Sequence, residues 1–280
     1  MKRLRRASRY LAHIPAVVWT TMVVLPFVFI VLLSFRSMAD IYANPLSLTG
    51  AWVPENFSRA WEGPLGGVGF SRYFGNTLIV TIAAVTVSLT AGAIAAYFTS
   101  LLSQRWRRRV MMLFLIGTII PAIALLIPLF RIFNGLNLLN EPLAVGVLYG
   151  GLSLPTSALI LHSFFLEFPD ELRDAAALDG LGPFASFTRI VLPLSAAPIA
   201  AAGILATVWV WGETQVGLVL LQSATSQTVP VGVLSFQGQF TSEQGPLFAG
   251  LTMAMLPLLV IYVVFSRHIR KGIALGGALR

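Results

Sequence analysis

Residues 174–193 read DAAALDGLGPFASFTRIVLP, a partly polar stretch inside a chain otherwise built of long apolar runs. It follows FPDELR at 168–173. Pro169 suits the first turn of a helix, Asp170 and Glu171 complement the positive end of its dipole, and Gly180 suits a left-handed C-terminal cap. The spacing predicts a short helix over 169–179. Ala175, Ala176 and Ala177 leave that helix thin enough for a partner's surface to approach its backbone, with Ala176 and Gly180 setting a close fit. Asp174 and Leu178 share one face by their i,i+4 spacing. A second short helix opens at Pro183, with an apolar stripe of Phe184, Phe187, Ile190 and Val191 and with Pro193 disfavouring regular continuation. Residues 167–193 carry Glu167, Asp170, Glu171, Asp174 and Asp179 against Arg173 and Arg189, a net charge of −3. Solvation or self-capping accounts for Asp170 and Glu171. It leaves the alanine run and the phenylalanines unexplained, so the segment reads as a platform that docks in a basic socket.

The surroundings place this platform at a membrane face. Of the 280 residues 56% are hydrophobic and 11% charged, and the mean hydropathy is +0.82, far from the soluble balance of about a quarter charged residues. A hydrocarbon core about 30 Å thick takes roughly 20 apolar residues to span. Residues 14–35, 73–104, 110–130, 142–166, 190–212 and 244–266, trimmed by their flanking turns, supply six candidate spans. The expectation is an all-α membrane protein, with residues 1–72 as N-terminus, first span and external loop, and residues 73–280 as a five-helix core. The first run is too long and too uniformly apolar for a cleaved signal and is kept as a mature helix. Cysteine is absent, which excludes structural disulfides and thiol ligands.

The formal net charge of +8 reports topology rather than nucleic acid. With both termini in the cytoplasm, 15 of the 19 basic residues lie inside, including Lys2 to Arg9, the cluster Arg105, Arg107, Arg108 and Arg109, and the tail from Arg267 to Arg280. Arg36, Arg59, Arg72 and Arg131 remain outside, as the positive-inside rule prefers. The platform is therefore expected on the cytoplasmic side. The segment 37–72, with Pro45, Pro54, Pro64 and the Gly66-Gly67 pair, reads as an external loop whose Trp52, Phe57 and Trp61 rest at the interface or meet an external partner. TAGAIAAY at 90–97 permits close helix packing. Pro121 and Pro128 free backbone carbonyls inside the third span, as a kink or as part of a moving gate.

Chemistry-bearing motifs are few. The only lysines are Lys2 and Lys271, neither preceded by glycine, so the chain holds no phosphate-binding P-loop and is not expected to hydrolyse ATP. His13, His162 and His268 are scattered, and no metal-ligand pattern arises. His162 reads as structural. Glu213 is the one carboxylate close to the expected membrane interior, where such groups face a bundle interior or an aqueous path. It reads as an interfacial group at a span end or as a solute ligand. Trp209, Trp211 and Gln215 nearby are belt residues or the lining of a solute path. A stand-alone secondary transporter would be expected to bury more charge.

Asp174, Ala175, Ala176, Gly180, Ile190, Leu192 and Pro193 meet the spacing D-A-A-x₃-G-x₉-I-x-L-P, which resembles the EAA loop of ABC-importer permeases, with Asp174 where the family usually has Glu. FGNTLIV at 74–80, which includes Asn76, IPAIALLIPLF at 120–130, TVPVGVLSFQGQF at 228–240 and RKGIALGGAL at 270–279 resemble the carbohydrate branch, in particular the second permease of the maltose transporter. Trp211, Gly212, Glu213 and Thr214 stand where that group commonly has W-N-[ED]-F. The resemblance implies a type I permease fold whose coupling helices lie between spans four and five, with Asp174, Ala175, Ala176, Leu178, Asp179, Gly180, Phe184, Phe187, Ile190, Leu192 and Pro193 in the coupling segment. It implies half of a sugar path in a bacterial or archaeal cytoplasmic membrane. The implied partners are a second permease, two copies of a cytoplasmic ATPase that bind ATP and Mg in this chain's stead, and an external solute-binding protein. Glycerophosphodiesters, polyamines and other small polar solutes stay open as cargo. Asn76, Trp211, Glu213 and Gln215 are the candidate solute-path residues.

Overall fold

The computed structural model describes residues 2–45, 50–63, 67–239 and 244–277; Pro64 and Gly66 of the expected loop, Phe240 and residues 278–280 lie outside them. Among the described residues the regular structure is helical apart from one isolated bridge between Arg36 and Trp52. In order the helices are α1 (Lys2–Ser34), α2 (Met38–Ala43), α3 (Glu55–Glu62), α4 (Phe70–Ser100), α5 (Gln104–Ile119), a 3-10 turn (Ala122–Leu125), α6 (Leu126–Gly135), α7 (Pro142–Leu166), α8 (Asp170–Leu178), α9 (Pro183–Ser186), a π turn (Phe187–Val191), α10 (Leu192–Leu194), α11 (Ala196–Gly212), α12 (Gln215–Leu220), α13 (Val229–Gln239) and α14 (Gln244–Gly277).

Four of these carry stretches long and apolar enough to cross a bilayer: His13–Ser34, Phe70–Ser100, Pro142–Leu166 and Gln244–Ile261. The third and fifth expected spans are not single helices. Gln104–Ile119 and Ala122–Gly135 meet at a bend of 86°, and Pro183–Leu194 and Ala196–Gly212 at one of 79°. Pro121 explains the first break. A proline disfavours the helical region for the residue before it, and Ile120 is extended at φ −69°, ψ 115°. The second falls at Ser195, two residues beyond Pro193, where φ −93° and ψ 15° interrupt the helix and the Ser195 hydroxyl donates to Val191 O at 2.5 Å. The membrane supplies no water for such freed groups, so side chains must satisfy them.

The described chain forms two compact units, residues 1–71 with 233–256 and residues 72–232 with 257–280. In the first, the segment expected as a loop contains α2 and α3. Ser37 caps α2 by accepting from Asp40 N–H at 3.2 Å. Buried Asn56 donates to Ser34 O and Arg36 O at 2.9 and 3.0 Å, closing the end of α1. Phe35 packs on Trp52 and Phe57 at ring-centroid distances of 5.2 and 4.9 Å, while Trp52 and Trp61 stay exposed. On α1, Ile14, Val17, Trp19, Met22 and Leu25 are all exposed, a surface suited to hydrocarbon.

In the second unit α4 and α7 meet along a seam of minimal side chains. A Cβ added at Gly146 would fall 2.8 Å from Ala83 Cβ, and one at Gly150 would fall 2.6 Å from Val87 Cβ, so both positions exclude any larger residue. Small residues four apart give this approach in membranes, where packing rather than water drives association. Buried Ser88 and Ser157 add a hydroxyl pair at 2.8 Å, and His162 Nδ1 lies 3.2 Å from Ala96 O, a structural role as expected. Ala93, Ala96 and Tyr97 of the TAGAIAAY run are buried with Leu161, Phe165 and Ala202 in one apolar cluster.

Candidate coupling platform and helix-bundle cavity

The turn from α8 to α9 is built by its own residues. Leu181 N–H donates to Ala176 O at 2.9 Å and Gly180 N–H to Ala177 O at 3.0 Å, with Gly180 at φ +78°. This is the left-handed closure that glycine makes without steric cost. Arg173 roots the platform. Its Nη2 donates to Phe165 O at 2.6 Å and Phe168 O at 3.1 Å, capturing carbonyls at the end of α7. Its guanidinium carbon stands 5.7 Å from the Phe168 ring, and Nη1 pairs with Asp170 at 3.5 Å. Beneath lie Tyr97, Phe165, Phe168 and Phe187, with Tyr97 and Phe187 centroids 4.9 Å apart. Rings so interlocked transmit displacement rather than absorbing it.

The residues expected to couple divide between two faces. Asp174, Ala175, Leu178, Asp179, Gly180, Phe184 and Pro193 are exposed, Leu178 at 89% and Phe184 at 61%. Ala176 and Phe187 are buried, and Ile190 and Leu192 pack partly buried on the cluster beneath. The expected stripe is therefore split: Phe184 points outward, while Phe187, Ile190 and Val191 anchor. Ala176 makes its close fit with this chain. The π turn over Phe187–Val191 adds residues to a turn and so rotates successive side chains away from a single 3.6-residue face.

In the same unit α5, the 3-10 turn that follows it, α7 and α11 line an open-sided pocket of about 670 Å³. The break at Pro121 opens it. Thr118, Ser153, Thr156 and Trp209 supply its polar lining among small residues such as Gly151 and Ala206. Trp209 meets Tyr149 edge to face at 5.7 Å.

Residues 88–275 match the sequence profile of the family described as "Binding-protein-dependent transport system inner membrane component". The chain belongs to that family. This permease is 30% identical over 258 residues, 90% of its own length and 87% of the relative's, to a sulfoquinovosyl glycerol transport system permease protein of Agrobacterium fabrum. It is 26% identical to a diacetylchitobiose uptake system permease protein of Streptomyces coelicolor, across 95% of its own length and 87% of the relative's. A crystal structure of a bacterial ABC transporter involved in the import of the acidic polysaccharide alginate matches with a TM-score of 0.76 at 20% identity, over 94% of the permease and 97% of that chain.

The four candidate solute-path residues of the permease do not converge. Glu213 leaves α11 in extended backbone at φ −73°, ψ 123° and turns its carboxylate onto the start of α12. Oε1 accepts from Val216 N–H at 3.0 Å, and Oε2 accepts from Gly217 N–H at 3.2 Å and from the buried Tyr149 hydroxyl. It thus supplies the cap that Thr214 does not. Asn76 donates to Thr225 O and Gln227 O, each at 2.9 Å. Its neighbour Thr77 accepts from Val229 N–H at 2.8 Å. Trp211 is buried edge-on to Phe74 at 6.0 Å, and Gln215 is exposed. Asn140, unremarked in the sequence, holds the same segment by accepting from Ser223 N–H at 2.6 Å and the Ser226 hydroxyl at 3.1 Å. Tyr149 and Arg173 were likewise not singled out from the sequence for the contacts they make. Tyr149 lies 64 residues from its partner, and Arg173 was legible only as a charge.

Proposed function

We propose that this permease forms half of a sugar translocation path and receives its drive at the 170–194 platform from a separate cytoplasmic ABC ATPase. The observation that carries the coupling reading is the exposure of Leu178 and Phe184 at the tip of an element rooted in buried aromatics. Apolar side chains held out on a rigid base favour a protein partner, and the surrounding carboxylates favour a basic one. ATP and Mg are then bound by the partner. Differential affinity of the platform for the ATPase's nucleotide states biases the helices between outward and inward openings.

The assembly proposed is this chain, a related permease, two ATPase subunits and an external solute-binding protein, with both termini cytoplasmic in a bacterial or archaeal membrane. Relatives named for sulfoquinovosyl glycerol and diacetylchitobiose support a sugar or sugar conjugate as cargo. The α5–α7–α11 cavity, with one tryptophan and several hydroxyls, is the surface offered to it, since a sugar ring presents both an apolar face and hydroxyl rims. The test is a reconstituted assembly with solute-binding protein, comparing wild type with the Leu178→Asp, Phe184→Ala double variant. Solute-stimulated ATP hydrolysis should fall at least about tenfold while the chain stays folded, as surface changes usually leave stability within about 0.5 kcal/mol. Unaltered stimulation, or transport by this chain without an ATPase, overturns the reading.

A further inference from the structure

The start of α5 carries a second feature, independent of the coupling reading. Its sequence, QRWRRRVMMLFLIGTI, places four arginines within five residues. Arg105, Arg108 and Arg109 are exposed, while Arg107 is half-buried. The sequence contains no acidic residue between Glu62 and Glu141, so α4, α5 and α6 offer these guanidinium groups no carboxylate. Among the described residues none of the four has an ion-pair partner. Arg109 is instead steadied over the Trp106 ring, 4.8 Å from its centroid, and Trp106 remains 56% exposed.

The face that bears these charges continues without a polar interval. Met112, Leu113, Ile116 and Ile119 follow at helical spacing and are all exposed, so one stripe runs from arginine to hydrocarbon-like surface. At 1.5 Å per residue the guanidinium turn and the first exposed aliphatic turn are about 6 Å apart along the axis, close to the step from a phosphate to the top of its acyl chains. A water-soluble acidic protein or a nucleic acid would satisfy the charges and leave the stripe uncovered. The positive end of the α5 dipole adds to the field there.

We infer that Arg105, Arg108 and Arg109, with Trp106, form a binding site for the headgroup of an anionic phospholipid whose chains lie along Met112, Leu113 and Ile116. Guanidinium groups bind phosphodiester oxygens bidentately, and the indole sits at headgroup depth, where amphipathic rings collect. Such a lipid tethers the α4–α5 corner at the bilayer surface.

The experiment places the full chain in phosphatidylcholine nanodiscs doped with spin-labelled phosphatidylglycerol or spin-labelled phosphatidylcholine and measures the motionally restricted fraction of each. Wild type should retain phosphatidylglycerol about fivefold over phosphatidylcholine, with the preference falling as salt rises. Arg105→Gln, Arg108→Gln and Arg109→Gln together should abolish the preference. The corresponding triple lysine substitution should keep most of it, and Arg131→Gln, an exposed arginine elsewhere, should leave it unchanged. Equal retention of the two lipids by wild type overturns the site, as does a preference that the triple glutamine variant keeps. Displacement by inorganic phosphate would make it a site for a free anion, and displacement by added partner permease would make it a protein interface; either result also overturns it. Should the triple variant fail to insert, the salt dependence of the wild-type preference decides alone, and a preference indifferent to salt refutes the proposal.

Discussion

Two places where the chain leaves a membrane helix carry the polar residues that first suggest function: the platform after α7 and the break after α11. At the platform, Arg173 takes up the free carbonyls, and Asp174, Leu178 and Phe184 are left facing outward. At the break the reverse holds. Glu213 spends its oxygens on Val216, Gly217 and Tyr149, and Asn76 spends its amide on Thr225 and Gln227. A helix interrupted in hydrocarbon must satisfy its backbone from within before it has groups to offer a ligand. The platform has one residue doing that work and several to spare, whereas the break uses nearly all that it has.

The largest effect is expected where the break is disarmed. Glu213→Leu leaves a tyrosine hydroxyl and two amides without acceptors, and unsatisfied buried groups cost about 1–3 kcal/mol each. Thermal unfolding of the detergent-solubilised assembly should show a loss of about 3 kcal/mol, with Glu213→Gln restoring more than half. If Glu213→Leu melts like wild type but loses solute binding, the carboxylate is a ligand and the contrast between the two regions fails.

At the platform the effect should be smaller and of another kind. Gly180→Val puts a β-branched residue at φ +78°, costing about 1–2 kcal/mol of local strain, and uptake should fall about tenfold at equal expression. Among the described residues, none apart from its chain neighbours lies within 4 Å of the added Cβ, so Gly180→Asn, which tolerates the left-handed region, separates the causes. Recovery by Asn assigns the loss to backbone geometry. Failure of a folded Asn variant assigns it to volume pressed against a partner. Smallest of all, Asp174→Ala removes an exposed charge, and stimulated ATPase should fall by less than about fivefold; a larger loss would mark Asp174 as part of a desolvated pair.

What the sequence made legible was local. The helix expected over 169–179 is found as Asp170–Leu178, with Gly180 left-handed, because proline, first-turn acids and glycine each act within one turn. Pro121 foretold a disturbance in the third span, though not a bend of 86°. Pro193 likewise foretold an interruption near Ser195, though not a bend of 79°, and α2 and α3 were hidden among the loop's prolines. Pairings across long separations were illegible. Nothing near Glu213 points to Tyr149, and nothing near Asn76 points to the carbonyls of 225 and 227. Split burial within the platform also escaped, since a stripe drawn at 3.6 residues per turn does not anticipate a π turn.

The glycine seam between α4 and α7 has a consequence for biogenesis. Its two halves are separated in the chain by α5 and α6, so α4 is synthesised before its mate. Lipid must hold α4 as a lone helix, its backbone satisfied internally, until Gly146 and Gly150 arrive. A chain truncated after α6 would thus present a bare alanine and valine face, at Ala83 and Val87, to the bilayer, a surface that sets an unfinished subunit apart from a finished one.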